Sequence, residues 1–286
     1  MSKDCVDRVL NALLSSNPLL GDGMKEDTPI YRVLPLKYLV PDILDSRLTL
    51  SRVIGWEDTH EAAYFNRTVP FGPKGEDTGL FGLAQDWFGQ CWSTTEESDA
   101  LWRIYNPDGW SVRIQSTPRA LIEGILRPLD REKPVLLNFA NILLYLGQVS
   151  YPDPSSYQST MGAPLEDVMT SDGCGVARKL LVKRQAFAHE AEVRLLFQSG
   201  VTPSEAGRSM VADYFDANSV GRVNHGGIAY LPMRLRLPFD WSAVTDVMTG
   251  PRADHGTHVV IQEALQSVNP AIRLTKSELY GKPHFS

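Results

Sequence analysis

Phe187-Ala188-His189-Glu190-Ala191-Glu192-Val193-Arg194-Leu195-Leu196-Phe197 carries two carboxylates two positions apart, followed at once by an apolar run. Val193, Leu195 and Phe197 alternate with Arg194 and Leu196, which predicts a mostly buried β-strand. Residues i and i+2 of a strand share a face, so Glu190 and Glu192 project together where the chain enters the sheet. Like charges held that close are unfavourable unless a cation or a ligand compensates. Two explanations are open: a solvated strand end with Arg194 as its surface partner, or a pair of working carboxylates.

Outward from this stretch, β-type alternation recurs at 29–34, 47–51, 88–95, 110–115, 148–151, 228–237, 244–249 and 271–274. Helical spacing predicts helices over 6–14, 37–44, 99–105, 118–126, 134–145 and 258–266. Pro41 weakens the second of these, and Thr95 or Ser98 is placed to cap the third. Stretches rich in loop-forming residues lie at 55–79, 152–173 and 200–226, and Gly21-Asp22-Gly23 is a turn too short for a phosphate loop. Short strands mixed with helices, without regular βαβ alternation, predict an α+β fold rather than a doubly wound parallel sheet. No glycine-rich dinucleotide fingerprint follows a strand.

With 286 residues, 43% of them hydrophobic and 22% charged, the chain can bury a sizeable core. The apolar-rich region 134–149 is interrupted by Asn138, Asn141 and Gln148, so no membrane span is expected. The start, Met1-Ser2-Lys3-Asp4-Cys5, lacks a signal-peptide pattern. Cys5, Cys91 and Cys174 stand far apart, which suits a reducing cytoplasm and offers neither a disulfide framework nor a metal pair. His255 and His258 sit beside Asp254 with no cysteine or third histidine nearby, and are not expected to hold a metal. A net charge of -6 gives no bulk attraction for nucleic acid. The local pairs Arg178-Lys179 with Lys183-Arg184, and Arg234 with Arg236, keep a nucleic-acid partner open.

Three segments together resemble the Arg-Ser-Glu branch of ADP-ribosyltransferases: Tyr31-Arg32 on an early strand, Trp92-Ser93-Thr94-Thr95 on a later one, and Glu190-Ala191-Glu192-Val193 entering a third. Over most of its length the chain also resembles a bacterial domain-of-unknown-function family. Its hallmarks stand here as Tyr31-Arg32, Cys91-Trp92-Ser93, Trp102 to Tyr105, Lys183 to Phe187, Glu190 to Arg194 and Gly250-Pro251-Arg252-Ala253. Thr95 stands where the branch has a serine, and the gap from Ser93 to Glu192 is long. The resemblance therefore implies one ADP-ribosyltransferase-like domain over 1–286, a split β-sheet core with helices, and a helical and loop insertion at 118–175.

The resemblance implies NAD as substrate and transfer of ADP-ribose to a macromolecule, nucleic acid or protein. Glu192 would stabilise the oxocarbenium-like state, and Glu190 would handle the acceptor. Ser93 would orient Glu192, or else serve as a helix cap. Arg32 would hold the pyrophosphate, a task for which a guanidinium fork suits. Tyr31, Trp92 and Thr94 would complete the NAD site, with Trp92, Tyr31 or Tyr38 stacking on nicotinamide. The implied setting is a bacterial toxin or phage-defence effector with an antitoxin or regulatory partner. Two alternatives stay open: an NAD glycohydrolase or other hydrolase, and an interaction module in which Glu190, Glu192 and Arg32 form a structural ion-pair network.

Overall fold

A computed structural model describes residues 3–15, 20, 24–71, 75–171, 173–200, 211–224 and 228–281. The predicted turn at 21–23 and residues 201–210 and 225–226 of the predicted irregular stretch lie outside these. In chain order the elements are α1 (Lys3–Ser15), β1 (Ile30–Pro35), α2 (Leu36–Leu44), β2 (Arg47–Arg52), β3 (Thr68–Phe71), β4 (Glu76–Gly79), β5 (Trp87–Ser93), α3 (Asp99–Tyr105), β6 (Ser111–Ser116) and α4 (Pro118–Glu132). They continue with α5 (Ala140–Leu143), β7 (Leu144–Gln148), α6 (Pro154–Gly162), α7 (Gly175–Leu180), β8 (Glu192–Gln198), β9 (Val220–Asn224), β10 (Ile228–Pro232), β11 (Arg234–Pro238), β12 (Asp246–Thr249), α8 (His255–Val268) and β13 (Leu274–Lys276).

Nine strands form one mixed sheet in the order β11-β2-β5-β1-β6-β12-β13, with β8 on the other edge of β5 and β7 beyond it. Among the described strands β12 and β13 pair in parallel and the other pairs are antiparallel. Alternation along each strand divides the core between the two faces. Val193, Leu195 and Phe197 of β8 join Phe88 and Trp92 in a cluster beneath α1, α2, α4 and α8. Leu196 and Trp87 face a second cluster with Tyr64, Phe65 and Tyr145. The fold is α+β, as the sequence predicts.

The sheet is split at β5. One edge of this strand is shared: Phe88 and Gly89 pair with β2, while Ser93 alone pairs with Tyr31 of β1. Between those points Gln90, Cys91 and Trp92 have no strand partner on that edge among the described residues, and β1 and β5 diverge. The other edge of β5 is fully paired with β8, including Ser93 opposite Glu192.

Several elements differ from the sequence expectation for local reasons. The helix from Pro118 runs past Leu126 to Glu132 despite Pro128. The ring of Pro128 removes the N–H that would bond Gly124, and the Gly124 carbonyl accepts instead from the Asp240 N–H at 2.8 Å. Residues 134–145, predicted as one helix, form a 3-10 turn, the short α5 and the start of β7. The predicted strand 228–237 breaks at Met233, whose N–H and carbonyl bond Ser219 and Arg52 rather than one continuous ladder. The stretch 118–175 contributes α4 to the main core and β7 to the sheet, so part of it is built into the body of the domain.

Candidate active site

The Glu190-Ala191-Glu192 segment turns a corner. Glu190 ends a 3-10 helix over Gln185–Glu190, Ala191 adopts a left-handed conformation at φ 43°, and Glu192 begins β8. The two glutamates are therefore not neighbours on one strand, as the sequence predicts. The left-handed residue swings Glu190 round so that both carboxylates meet the same ammonium. Lys183 Nζ lies 2.8 Å from Glu190 Oε2, 3.0 Å from Glu192 Oε1 and 3.1 Å from Glu61 Oε1.

Arg194 completes the cluster. Its guanidinium donates to Glu192 Oε2 through Nε at 2.9 Å and Nη2 at 2.7 Å, and to Glu61 Oε2 at 2.9 Å. A fourth bond, at 2.6 Å, reaches the Leu180 carbonyl at the end of α7. Arg194 is 0% exposed, so it is not the surface partner that the solvated-end explanation required. The Trp56 ring covers its guanidinium at 4.6 Å. The indole can lie that close only because residue 89 is glycine: a Cβ there would meet it at 2.8 Å.

The electrostatics separate the two glutamates. Burial pushes Glu190 up, the Glu192 carboxylate adds to this, and its pKa reaches about 7. Burial acts on Glu192 in the same direction, but Arg194, with Glu190 and Lys183, more than offsets it and holds Glu192 below its usual value. Lys183 is likewise raised, because Glu192, Glu190 and Glu61 outweigh its burial. The pair thus titrates as one acid near neutrality and one firm carboxylate.

The opening between β1 and β5 is a cavity of about 870 Å³, lined by Arg32, Ser93, Glu190 and Glu192 together with Tyr31, Trp92, Thr95 and Lys183. Tyr31, Ser93 and Glu192 stand in one row across three strands. Arg32 follows Tyr31 and so leaves β1 from the opposite face. It reaches the cavity because β1 and β5 have parted there. It is half-buried, has no ion-pair partner among the described residues, and its pKa is lowered by burial. The predicted network of Glu190, Glu192 and Arg32 thus takes another form, with Lys183, Arg194 and Glu61 in place of Arg32.

Ser93 donates its hydroxyl to the Glu190 backbone carbonyl at 2.6 Å and accepts from the Thr95 N–H at 3.0 Å. It fixes the Glu190 corner rather than the Glu192 carboxylate. Neither Thr95 nor Ser98 caps α3 with its side chain. Thr94 lies outside the cavity lining, and its N–H and hydroxyl hold the Ala191 carbonyl at 3.0 and 3.4 Å.

Of the three rings considered for stacking, Trp92 is buried with its indole N–H on Gln90, at 2.9 Å. Tyr31 lies under the Arg113 guanidinium at 4.9 Å, and Tyr38 carries Lys37 and Arg234 at 5.2 Å each. Tyr105, at the end of α3, lines the cavity and is 38% exposed. Only its place in the Trp102–Tyr105 hallmark marks it in the sequence. The basic pairs are mostly neutralised internally: Lys183 in the cluster, Lys179 by Asp167 at 4.0 Å, Arg184 by Asp58 at 3.0 Å, and Arg236 by Asp42 and Asp45 at 3.1 and 2.9 Å. Among the described residues no helix is long and apolar enough to cross a membrane.

No family model matches the chain, and no curated protein does. Among solved structures it is similar to DarT of Thermus sp. 2.9 in complex with NAD+, with 10% identity and a TM-score of 0.35 over 89% of this chain and 98% of that one. The same protein in complex with ADP-ribosylated ssDNA gives 10%, 0.35, 88% and 94%. In complex with carba-NAD+ it gives 12%, 0.34, 88% and 95%.

Proposed function

We propose that this chain is an NAD-dependent mono-ADP-ribosyltransferase acting on a macromolecule. The observation that carries the reading is the cavity in the split sheet, into which an unpaired guanidinium, Arg32, and the Glu190/Glu192 pair open together. Its volume suits a ligand of dinucleotide size. Arg32 has the fork geometry for a pyrophosphate and forms no ion pair among the described residues, since the nearby Asp42 is engaged by Thr49 and Arg236. Glu192, kept ionised by Arg194 and Lys183, stabilises positive charge on the ribose as the nicotinamide bond breaks. Glu190, poised near neutral pH, accepts a proton from the acceptor group. Ser93 holds the corner that presents Glu190. The sequence resemblance adds the setting, a bacterial toxin or phage-defence effector restrained by an antitoxin or regulatory partner.

The test is incubation with labelled NAD in cell lysate, followed by dialysis and separate digestion with protease and nuclease. Label that stays with macromolecules and is freed by one digestion supports transfer and identifies the acceptor as protein or nucleic acid. Nicotinamide release without lysate, and no retained label, would replace transfer with NAD hydrolysis. No release under either condition would leave the buried ion cluster as scaffolding of an interaction module.

A further inference from the structure

The five charged side chains of the cluster, four of them lining the cavity and Arg194 buried behind them, do not balance. Among the described residues, Glu61, Glu190 and Glu192 pair with two cations, Lys183 and Arg194, and all five are at most 8% exposed. Three carboxylates against two cations leave one surplus negative charge in a desolvated place, which is unfavourable unless a further positive charge arrives.

The other groups around Glu190 do not supply it. Tyr105 and Tyr151 are raised by burial and stay neutral, and burial pushes the Cys91 thiol up to about 12. Asp58 is matched by Arg184 at 3.0 Å. His189, on the same 3-10 turn, is exposed. Arg32 enters from the other face towards Asp42, and in the NAD reading it is matched by the pyrophosphate. A proton or a cationic ligand remains.

We propose that this cluster is a subsite for one positive charge, which accepts the oxidised, cationic nicotinamide ring of NAD in exchange for a proton and discriminates against the neutral reduced ring. The proposal deepens the NAD reading and rests on it. The proton leaves the Glu190 carboxyl for solvent as the pyridinium enters, so the charge of the subsite is zero before and after. Tyr105, which lines the cavity, is 38% exposed and feels the charge of Glu190, is the ring placed to meet the pyridinium. The Trp56 and Phe187 rings already carry Arg194 and Lys183, at 4.6 and 4.5 Å.

The experiment is calorimetric titration of the purified protein with carba-NAD+, which keeps the pyridinium but resists cleavage, and with NADH. Each is run near pH 7 in buffers of different ionisation enthalpy. Carba-NAD+ is expected to release roughly half a proton per site, since Glu190 is about half protonated there. Its affinity should rise about tenfold per pH unit below 7 and level off above. NADH should bind at least roughly tenfold more weakly and release none. Glu190→Gln, checked for native fold, should bind carba-NAD+ more weakly than wild type does above pH 7, and without proton release. Binding of carba-NAD+ with no proton exchange and a flat pH profile, or NADH bound as tightly, would overturn the subsite while leaving NAD use intact. No binding of carba-NAD+ at millimolar concentration would overturn the NAD reading and the subsite with it.

Discussion

Lys183 concentrates the electrostatics of the site in one atom, its Nζ within 3.1 Å of three carboxylates. Removing one partner of a buried ion cluster is strongly destabilising, because the remaining charges stay buried and unmatched. Lys183→Met is therefore expected to lower stability by about 3–5 kcal/mol in urea unfolding. Lys183→Arg should recover part of that loss. A loss below about 1 kcal/mol for the methionine variant, the range of a surface pair, would contradict the buried cluster. Glu190 carries a second expectation, with a definite sign. Its folded pKa, about 7, lies above the unfolded value of about 4.3. Between those values the native state holds a proton that the unfolded chain has lost, so this group makes stability fall as pH rises through the window. Urea midpoints at pH 5 and pH 7.5 should differ by less in Glu190→Gln than in wild type. An unchanged difference would remove Glu190 from the titration.

At the scale of elements, the corner between the 3-10 turn and β8 depends on Ala191 at φ 43°. An L-residue there carries about 1–2 kcal/mol of strain, and a β-branched one more. Ala191→Gly is expected to be neutral or slightly stabilising, with activity kept. Ala191→Val should cost about 1–2 kcal/mol and misplace both glutamates, seen as a loss of activity larger than the loss of fold. Equal tolerance of both variants would mean that the corner is not strained. The same corner marks where the sequence stops being legible. Strands β2 and β12 were readable because burial alternates along them, while β5, β6 and β8, buried almost throughout, were readable as short apolar runs bounded by turn residues. The 144–148 stretch was not, since Leu144, Tyr145 and Leu146 are buried on both faces and the period disappears into the preceding helical spacing. Glu190 and Glu192 were legible as a pair but not as a turned corner, because an alanine gives no sign of positive φ. Glu61, lone in a loop-rich stretch, carried no signal. Lys183 stood out only as one of a basic pair and within its hallmark, and its contacts come from topology alone.

At the scale of the molecule, the two parts of the sheet meet at one residue pair, Tyr31 with Ser93, and part beside it. That parting lets Arg32 from one face and Glu192 from the other share a cavity. The row Tyr31, Ser93, Glu192 sets the depth of the site, and the ion cluster beneath it sets the charge. In the proposed reaction Glu192 stabilises positive charge on a ribose. That role is tested most directly by nicotinamide release from NAD, in the presence of lysate, by wild type and by Glu192→Gln. The amide keeps shape and volume and loses the charge. Wild type should release nicotinamide, and the variant, with native circular dichroism, should be slower by about 100-fold or more. A folded Glu192→Gln variant that matches wild type within a few-fold would contradict that role.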